Sequence, residues 1–158
     1  MTEHEVLLLR RRPDPRDPWS GHWCFPGGGR ASSDADLLST ALRELQEECG
    51  LELPREALSE ELPLAKAGPP ERYVVVAPFV LRVAAPMPVQ LAEREMTEAR
   101  WLPLDELRDA SRHALRAVPG QPPERLVSTF DLPPTPLWGF TYRLLVNWLH
   151  LESPAPSP

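Results

Sequence analysis

The chain has 158 residues and a formal net charge of −6, and 42% of its residues are hydrophobic. This length and composition predict one globular domain, and the negative charge argues against nucleic acid or an anionic membrane as a partner. No apolar run approaches the roughly 20 residues of a membrane span, and there is no pattern typical of a secretion signal. The two cysteines, Cys24 and Cys49, form no disulfide framework, so we expect a protein of the reducing cytoplasm.

The first third of the chain predicts two strands and one helix. Val6 to Leu9 has the composition of a buried strand, and Trp23 to Phe25 that of a short strand. From Asp36 to Cys49 apolar residues recur at helical spacing, which predicts an amphipathic helix that ends at Gly50. Its candidate N-caps are Ser33 and Asp34.

The remainder of the chain predicts further strands and two more helices. Tyr73 to Ala84 is rich in strand-forming residues, although Pro78 requires a bulge or an edge position. The other predicted elements are a strand over 99–102, a helix over 104–118, a strand over 126–130 and, after Thr135-Pro136, a last helix over 137–151. Without a regular alternation of strands and helices, this order indicates an α+β domain with a mixed sheet and helices packed on it. We expect the domain to cover residues 1–151 and the Pro-rich residues 152–158 to form a disordered tail.

Three glutamates stand close together on the first predicted helix. Glu44, Glu47 and Glu48 are three and four positions apart, so they project from one sector of the helix, away from its apolar stripe. Like charges at this spacing cost a few tenths of a kcal/mol each, which a divalent cation would remove; carboxylate oxygens suit Mg²⁺ or Mn²⁺. A solvated acidic face is the alternative interpretation. The glycine-rich turn at 27–29, where the backbone can approach a ligand closely, favours a site for phosphate chemistry instead.

The segment from Arg43 to Leu51, RELQEECGL, resembles the second half of the Nudix box, R-E-U-x-E-E-x-G-U with U a bulky apolar residue. Every specified position of that half is matched, and Gly27-Gly28 resembles the opening of the box. In the first half, Ala35 stands where the family has a glutamate. We expect Asp34, one position earlier, to take over the structural role of that glutamate by capping the helix or by pairing with Arg43.

The turn FPGG, followed by a D-A-D segment and by T-A-L-R-E, resembles the coenzyme A pyrophosphatase branch of the Nudix family. The segments Tyr73–Val80, Glu95–Leu104 and Trp138–Thr141 are also similar to that branch. Its upstream arginine signature is matched at Arg12, whereas Asp17 stands where the branch has a second arginine.

The resemblance implies a Nudix fold, in which a mixed sheet is packed between helices as an α/β/α sandwich. It also implies Mg²⁺- or Mn²⁺-dependent hydrolysis of a nucleoside diphosphate linked to another group, with coenzyme A or an acyl-coenzyme A as the expected substrate. The implied metal ligands are Glu44, Glu47, Glu48 and the carbonyl of Gly28. The implied catalytic residues are Glu47, Glu44 and Arg43. The candidates for substrate binding are Arg10, Arg12, Trp19, Gly27 and Gly28, and Glu95 or Glu98 is a possible distal base.

Several alternatives stay open at the level of sequence. Either Glu47 or a loop glutamate is the base, and for Arg10 and Arg12 an exposed strand end is an equal explanation. Other possible substrates are ADP-ribose, a dinucleotide, a nucleoside-diphosphate sugar or a nucleoside triphosphate, and a non-catalytic nucleotide-binding module is a further alternative. Nudix domains usually have an apolar strand ahead of the one at Val6–Leu9. Either the start lies upstream, or the sheet lacks one strand and exposes an edge that a homodimer would cover.

Overall fold

The computed structural model describes residues 1–17 and 19–154; Pro18 and the last four residues of the predicted tail lie outside this part. The strands are β1 (Glu5–Arg11), β2 (Trp23–Cys24), β3 (Leu58–Glu61), β4 (Ala65–Ala67), β5 (Val74–Val76), β6 (Phe79–Leu81), β7 (Met96–Pro103), β8 (His113–Arg116), β9 (Val127–Phe130) and β10 (Leu137–Trp138). The α-helices are α1 (Leu37–Cys49), α2 (Leu104–Arg108) and α3 (Gly139–Leu149).

Strand β1 is the centre of the domain because both of its faces are buried. It lies between β2 and β7 in a three-stranded antiparallel sheet. Successive side chains of a strand point to opposite faces. The even-numbered apolar residues of β1 pack with Tyr142 and Leu145 of α3, whereas Leu7 and Leu9 pack with Leu45 of α1. A helix therefore covers each face of this sheet, in the α/β/α arrangement that the resemblance implies.

The remaining strands form a second three-stranded sheet, β10-β9-β8, and two ribbons, β3-β6 and β4-β5. All these pairs are antiparallel. A parallel pattern occurs beside β6, where the Met1 ammonium donates to the Leu81 carbonyl at 2.6 Å and the Val83 amide donates to the Met1 carbonyl at 2.9 Å. These two hydrogen bonds flank Arg82 as in a parallel ladder. The residues ahead of β1 are thus fixed against the domain, and dimerisation stays a prediction.

The predicted strand over 73–84 is two strands in the structure. It breaks at Ala77-Pro78, and β5 pairs with β4 whereas β6 pairs with β3. Proline cannot donate to a ladder, so the chain changes partner there instead of forming a bulge. The two partner strands, β3 with the sequence LSEE and β4 with AKA, were not predicted, because neither contains a β-branched or aromatic residue.

The prediction of a helix over 104–118 is wrong beyond Arg108, where α2 ends. The Asp109 side chain accepts a hydrogen bond from the Ser111 amide at 3.0 Å, which stabilises a short 3₁₀ turn. The following residues form β8, which pairs with β9. The pairing with a strand distant in sequence overrides the helical spacing of the apolar residues.

The last helix is shorter than predicted. Leu137 and Trp138 pair with β9, and α3 runs from Gly139 to Leu149. Thr135 does not cap it, because the N-cap position is Trp138. The Thr135 hydroxyl instead donates to the Gly21 carbonyl at 3.1 Å.

Part of the predicted tail contacts the domain. The hydroxyl groups of Ser153 and Tyr142 are hydrogen-bonded at 2.9 Å. In the described part of the chain, no helix combines the length and apolarity needed to span a membrane.

Replacing a side chain at the centre of the core tests this packing. Leu8 is fully buried, so Leu8→Ala should lower the free energy of unfolding by about 2–5 kcal/mol, measured by urea denaturation. Leu64→Ala is the control, since its side chain is 69% exposed, and we expect a change below about 0.5 kcal/mol. Equal losses in the two variants would contradict the central position of β1.

Candidate active site

Helix α1 carries the three glutamates, and both of its ends are fixed by local hydrogen bonds. Asp36 is the N-cap, and its carboxylate accepts from the Ser39 amide at 2.7 Å. The predicted caps, Ser33 and Asp34, do not have this role. The helix ends as predicted at Gly50, whose φ of 69° lies in the left-handed region that glycine adopts without strain.

Arg43 connects the helix to the glycine-rich turn. Its Nε and Nη2 atoms donate to the two carboxylate oxygens of Asp34 at 3.0 and 3.1 Å, and Nη2 also donates to the Gly29 carbonyl at 2.9 Å. Its Nη1 atom lies 2.8 Å from carboxylate oxygens of both Glu44 and Glu47. Because its guanidinium already has these partners, Arg43 orients the glutamates and the turn.

Asp34 occupies a site built for a charged carboxylate. In addition to Arg43, it accepts hydrogen bonds from the Ala31 amide at 2.8 Å and from the Thr40 hydroxyl at 2.9 Å. These interactions, the hydrogen bond from Arg43 first among them, hold the pKa of Asp34 well below its usual range. Asp34 therefore pairs with Arg43, which is one of the two roles predicted for it where Ala35 replaces the family's glutamate.

Glu48 is the most buried of the three glutamates, with 4% of its surface exposed. Its carboxylate accepts a hydrogen bond from the Gly27 amide at 2.9 Å. Burial raises the pKa of Glu48 to about 7; the Gly27 hydrogen bond and the charge of Arg11 oppose this rise, whereas the charges of Glu44 and Glu95 add to it. Burial and the charges of Glu44 and Glu95 disfavour the ionised form of Glu48, and a bound cation beside it would stabilise that form.

Gly28 lies directly against the Glu44 carboxylate. A Cβ atom built on Gly28 would be 2.5 Å from the Cδ atom of Glu44, which is closer than real Cβ atoms approach other atoms. Glycine at this position therefore allows the turn and the helix face to touch.

The donor groups fit a hard divalent cation in their chemistry. Glu44, Glu47 and Glu48 supply carboxylate oxygens on one face of α1, and oxygen ligands of this kind suit Mg²⁺ and Mn²⁺. Within residues 1–17 and 19–154, no three acidic, His or Cys side chains converge closely enough to hold a metal ion. The three carboxylates do not converge because they have different partners: Glu44 and Glu47 contact Arg43, whereas Glu48 accepts a hydrogen bond from Gly27. The metal ligand set stays a prediction.

The structure brings some of the predicted loop and strand residues to α1 and keeps others away. Arg10 shares the face of β1 with Leu8, which is turned away from α1, and pairs there with Glu98 at 3.0 Å. Glu98 is therefore not beside the helix carboxylates. Glu95 is close enough to influence Glu48, and its carbonyl accepts from the Arg12 amide at 2.7 Å.

Sequence reasoning missed Arg11, whose charge reaches Glu48. The alternation of side chains along β1 could have indicated it. Leu7 and Leu9 pack against α1, and Arg11 follows them at the same spacing of two residues. The Arg11 guanidinium lies 2.7 Å from a carboxylate oxygen of Asp17. Asp17, which stands where the branch signature has its second arginine, thus forms an ion pair with Arg11.

Trp19 and Trp23 differ in exposure. Trp19 is 48% exposed in the turn after Asp17, where it is accessible to a ligand. Trp23 is 2% exposed, and its indole N–H donates to the Leu132 carbonyl at 3.2 Å. Burial raises the pKa of the neighbouring Cys24 thiol to about 12, which excludes a reactive thiolate at neutral pH.

The fold and the carboxylate helix identify the class of protein. The sequence profile of the NUDIX domain family matches residues 1–121, and the chain belongs to this family. An uncharacterized protein of Schizosaccharomyces pombe is 34% identical over 108 residues, which cover 65% of this chain and 32% of that protein. The Nudix hydrolase NudL of Yersinia pestis is 35% identical over 108 residues, which cover 68% of this chain and 53% of NudL. The chain thus spans about half or less of the length of these relatives.

Solved structures confirm the Nudix fold. The NUDIX domain of Shewanella oneidensis NrtR, determined in complex with ADP ribose, has a TM-score of 0.62 at 19% identity, covering 94% of this chain and 80% of that one. A MutT/nudix family protein from Enterococcus faecalis has a TM-score of 0.60 at 19% identity, covering 90% of this chain and 52% of that one.

Adding one methyl group to the turn tests its contact with α1. Gly28→Ala should displace the Glu44 carboxylate and weaken Mn²⁺ binding about 10- to 100-fold, measured by isothermal titration calorimetry. Gly29→Ala is the matched control, because a Cβ at Gly29 has no atom within 4 Å among the described residues. Equal Mn²⁺ affinities in the two variants would show that the turn does not position Glu44.

The pair formed by Asp34 and Arg43 predicts a pH dependence of stability. Since the pKa of Asp34 is lowered in the folded state, its stabilising contribution is present above the unfolded pKa of about 3.9 and declines as the pH falls toward the folded value. Asp34→Asn should therefore be less stable than wild type at pH 7, and this difference should narrow below about pH 4. Urea unfolding at several pH values measures it. Asp105→Asn, at a side chain that is 97% exposed, should show no such difference; a pH-independent gap for Asp34→Asn would contradict the prediction.

Proposed function

We propose that the domain hydrolyses the diphosphate linkage of a nucleoside diphosphate joined to another group, with Mg²⁺ or Mn²⁺ as cofactor. The observation that carries the proposal is the carboxylate face of α1, where Glu44 and Glu47 contact Arg43 and Glu48 accepts a hydrogen bond from the glycine turn. Binding of a nucleotide alone does not require three carboxylates on one helix face. Hydrolysis does require charge neutralisation at the phosphate oxygens.

The residues that would hold the cation are Glu44, Glu47, Glu48 and the carbonyl of Gly28. The Gly29 carbonyl is already engaged by Arg43, which favours Gly28 as the backbone ligand. When bound, the cation neutralises phosphate oxygens and lowers the pKa of coordinated water.

The protein itself supplies orientation and a base. Arg43 holds Glu44 and Glu47 in position. The base is Glu47, whose side chain is 58% exposed to water, or Glu95 in the loop beside Glu48. In the reaction, the water oxygen bonds to one phosphorus, the P–O bond to the bridging oxygen breaks, and the base accepts the proton.

Coenzyme A or an acyl-coenzyme A is the substrate that we propose, with 3′,5′-ADP and (acyl-)phosphopantetheine as products. The proposal is supported by the resemblance to the coenzyme A pyrophosphatase branch in the FPGG turn and in three later segments. The exposed Trp19 is a candidate to stack on the adenine. The reducing cytoplasm is the proposed location, because Cys24 and Cys49 are both free thiols.

A substrate panel with Mg²⁺ and with Mn²⁺, with products separated by chromatography, tests the proposal. Glu47→Gln and Glu48→Gln should each lower turnover at least about 100-fold, because each removes a charge from the metal and base set. The matched control is Glu52→Gln, an exposed glutamate just beyond α1, which should retain activity.

The outcomes of the panel distinguish the hypotheses. Cleavage of coenzyme A to 3′,5′-ADP supports the branch assignment despite Asp17. Cleavage only of ADP-ribose, a dinucleotide, a nucleoside-diphosphate sugar or a nucleoside triphosphate contradicts coenzyme A and leaves the hydrolase proposal in place. Ligand binding without any turnover in wild type would overturn the hydrolase proposal in favour of a non-catalytic module.

A further inference from the structure

A cleft of about 430 Å³ lies at the end of β1 and is rich in arginine. Two segments of the chain form it, the loop that follows β1 and the loop that precedes β7. Its charged lining residues are Arg11, Arg12, Asp14, Arg16, Asp17, Arg94 and Glu95. Four guanidinium groups thus meet three carboxylates here, in a chain whose formal net charge is −6.

Backbone hydrogen bonds place this cleft next to α1. The Ala92 amide donates to the Glu48 carbonyl at 2.9 Å, and the Arg12 amide donates to the Glu95 carbonyl at 2.7 Å. The turn over 92–95 therefore bridges the carboxylate helix and the end of β1. Arg94 is two residues from Ala92, so their Cα atoms are at most about 7 Å apart. Arg94 therefore belongs to a turn that is hydrogen-bonded to the helix of the three glutamates.

Two of the four arginines have carboxylate partners. Arg11 lies 2.7 Å from Asp17, and Arg16 lies 2.8 Å from Asp14. An arginine paired in this way contributes little net charge to a ligand site.

Arg12 and Arg94 differ from the paired arginines. The Arg12 guanidinium donates to the backbone carbonyl of Glu93, which carries no charge. In the described part of the chain, the ion pairs do not include Arg12 or Arg94. The cleft therefore presents two guanidinium groups without a bound carboxylate, and the planar guanidinium fork matches phosphate oxygens.

We infer that Arg94, with Arg12, binds a phosphate monoester of the substrate and so selects diphosphates that carry an additional phosphate. The inference rests on the proposed function, because the helix carboxylates engage the diphosphate while the cleft engages the third phosphate. Coenzyme A carries such a group on its ribose, whereas dephospho-coenzyme A is the same molecule without it. Arg94 was not among the residues predicted from the sequence, and it is the specificity-determining residue of this inference.

The two substrates that differ by one phosphate provide the first test. In wild type, kcat/KM should be higher for coenzyme A than for dephospho-coenzyme A. Arg94→Gln should lower kcat/KM for coenzyme A about tenfold or more, the value of a hydrogen bond to a charged group, and leave dephospho-coenzyme A within about twofold. Arg72→Gln is the matched control, since this exposed arginine does not line the cleft, and both rates should be unchanged.

A binding measurement without metal separates the inference from catalysis. By calorimetry, wild type should bind adenosine 3′,5′-bisphosphate more tightly than AMP, and Arg94→Gln should abolish this difference. If Arg94→Gln lowers kcat/KM equally for both substrates and lowers the affinity equally for both nucleotides, Arg94 binds the diphosphate and the inference is overturned. A substitution that changes neither quantity would also overturn it. Absence of turnover in wild type would contradict the proposed function, while a binding preference that depends on Arg94 would still support the phosphate site.

Discussion

The contact between the glycine turn and α1 depends on one ion pair. Asp34 holds the Arg43 guanidinium through two oxygens, and the rest of that guanidinium reaches the Gly29 carbonyl and two helix glutamates. Such a fork–fork pair fixes direction as well as distance. Because Arg43 is held from the loop side, the turn cannot move away from α1 without breaking these hydrogen bonds. The close approach of Gly28 to Glu44 follows from this arrangement.

The alternation of side chains along β1 decides which residues can take part in the site. One face of the strand packs under α1 and the other under α3. As a result, adjacent arginines have different roles, since Arg11 acts on Glu48 whereas Arg10 pairs with Glu98 on the opposite face. A shift of β1 by one residue would exchange these two sets. The buried leucines on both faces make that shift unfavourable, so the core also specifies the site.

The sequence predicted those parts of the molecule that local interactions determine. Helix α1 was predicted to within one residue, because its periodicity and Gly50 are local signals. The residues after Arg108 were misassigned because β8 exists through hydrogen bonds to β9, which local spacing does not reveal. The residues around the glutamates show the same difference between local and long-range interactions. The three glutamates were apparent from the sequence, whereas Arg94 lies beside Arg12 through the hydrogen bond between Arg12 and Glu95, which pairs segments far apart in the chain.

The distribution of positive charge also explains why the three glutamates are not equivalent. Glu44 and Glu47 each lie 2.8 Å from Arg43, which offsets the repulsion expected at their spacing. Glu48 is buried, and the neutral amide of Gly27 is its hydrogen-bond donor. The charge of Arg43 therefore lies next to Glu44 and Glu47, whereas the charge that acts on Glu48 is that of the more distant Arg11. Glu48 is consequently the position at which an added cation would remove the largest electrostatic cost.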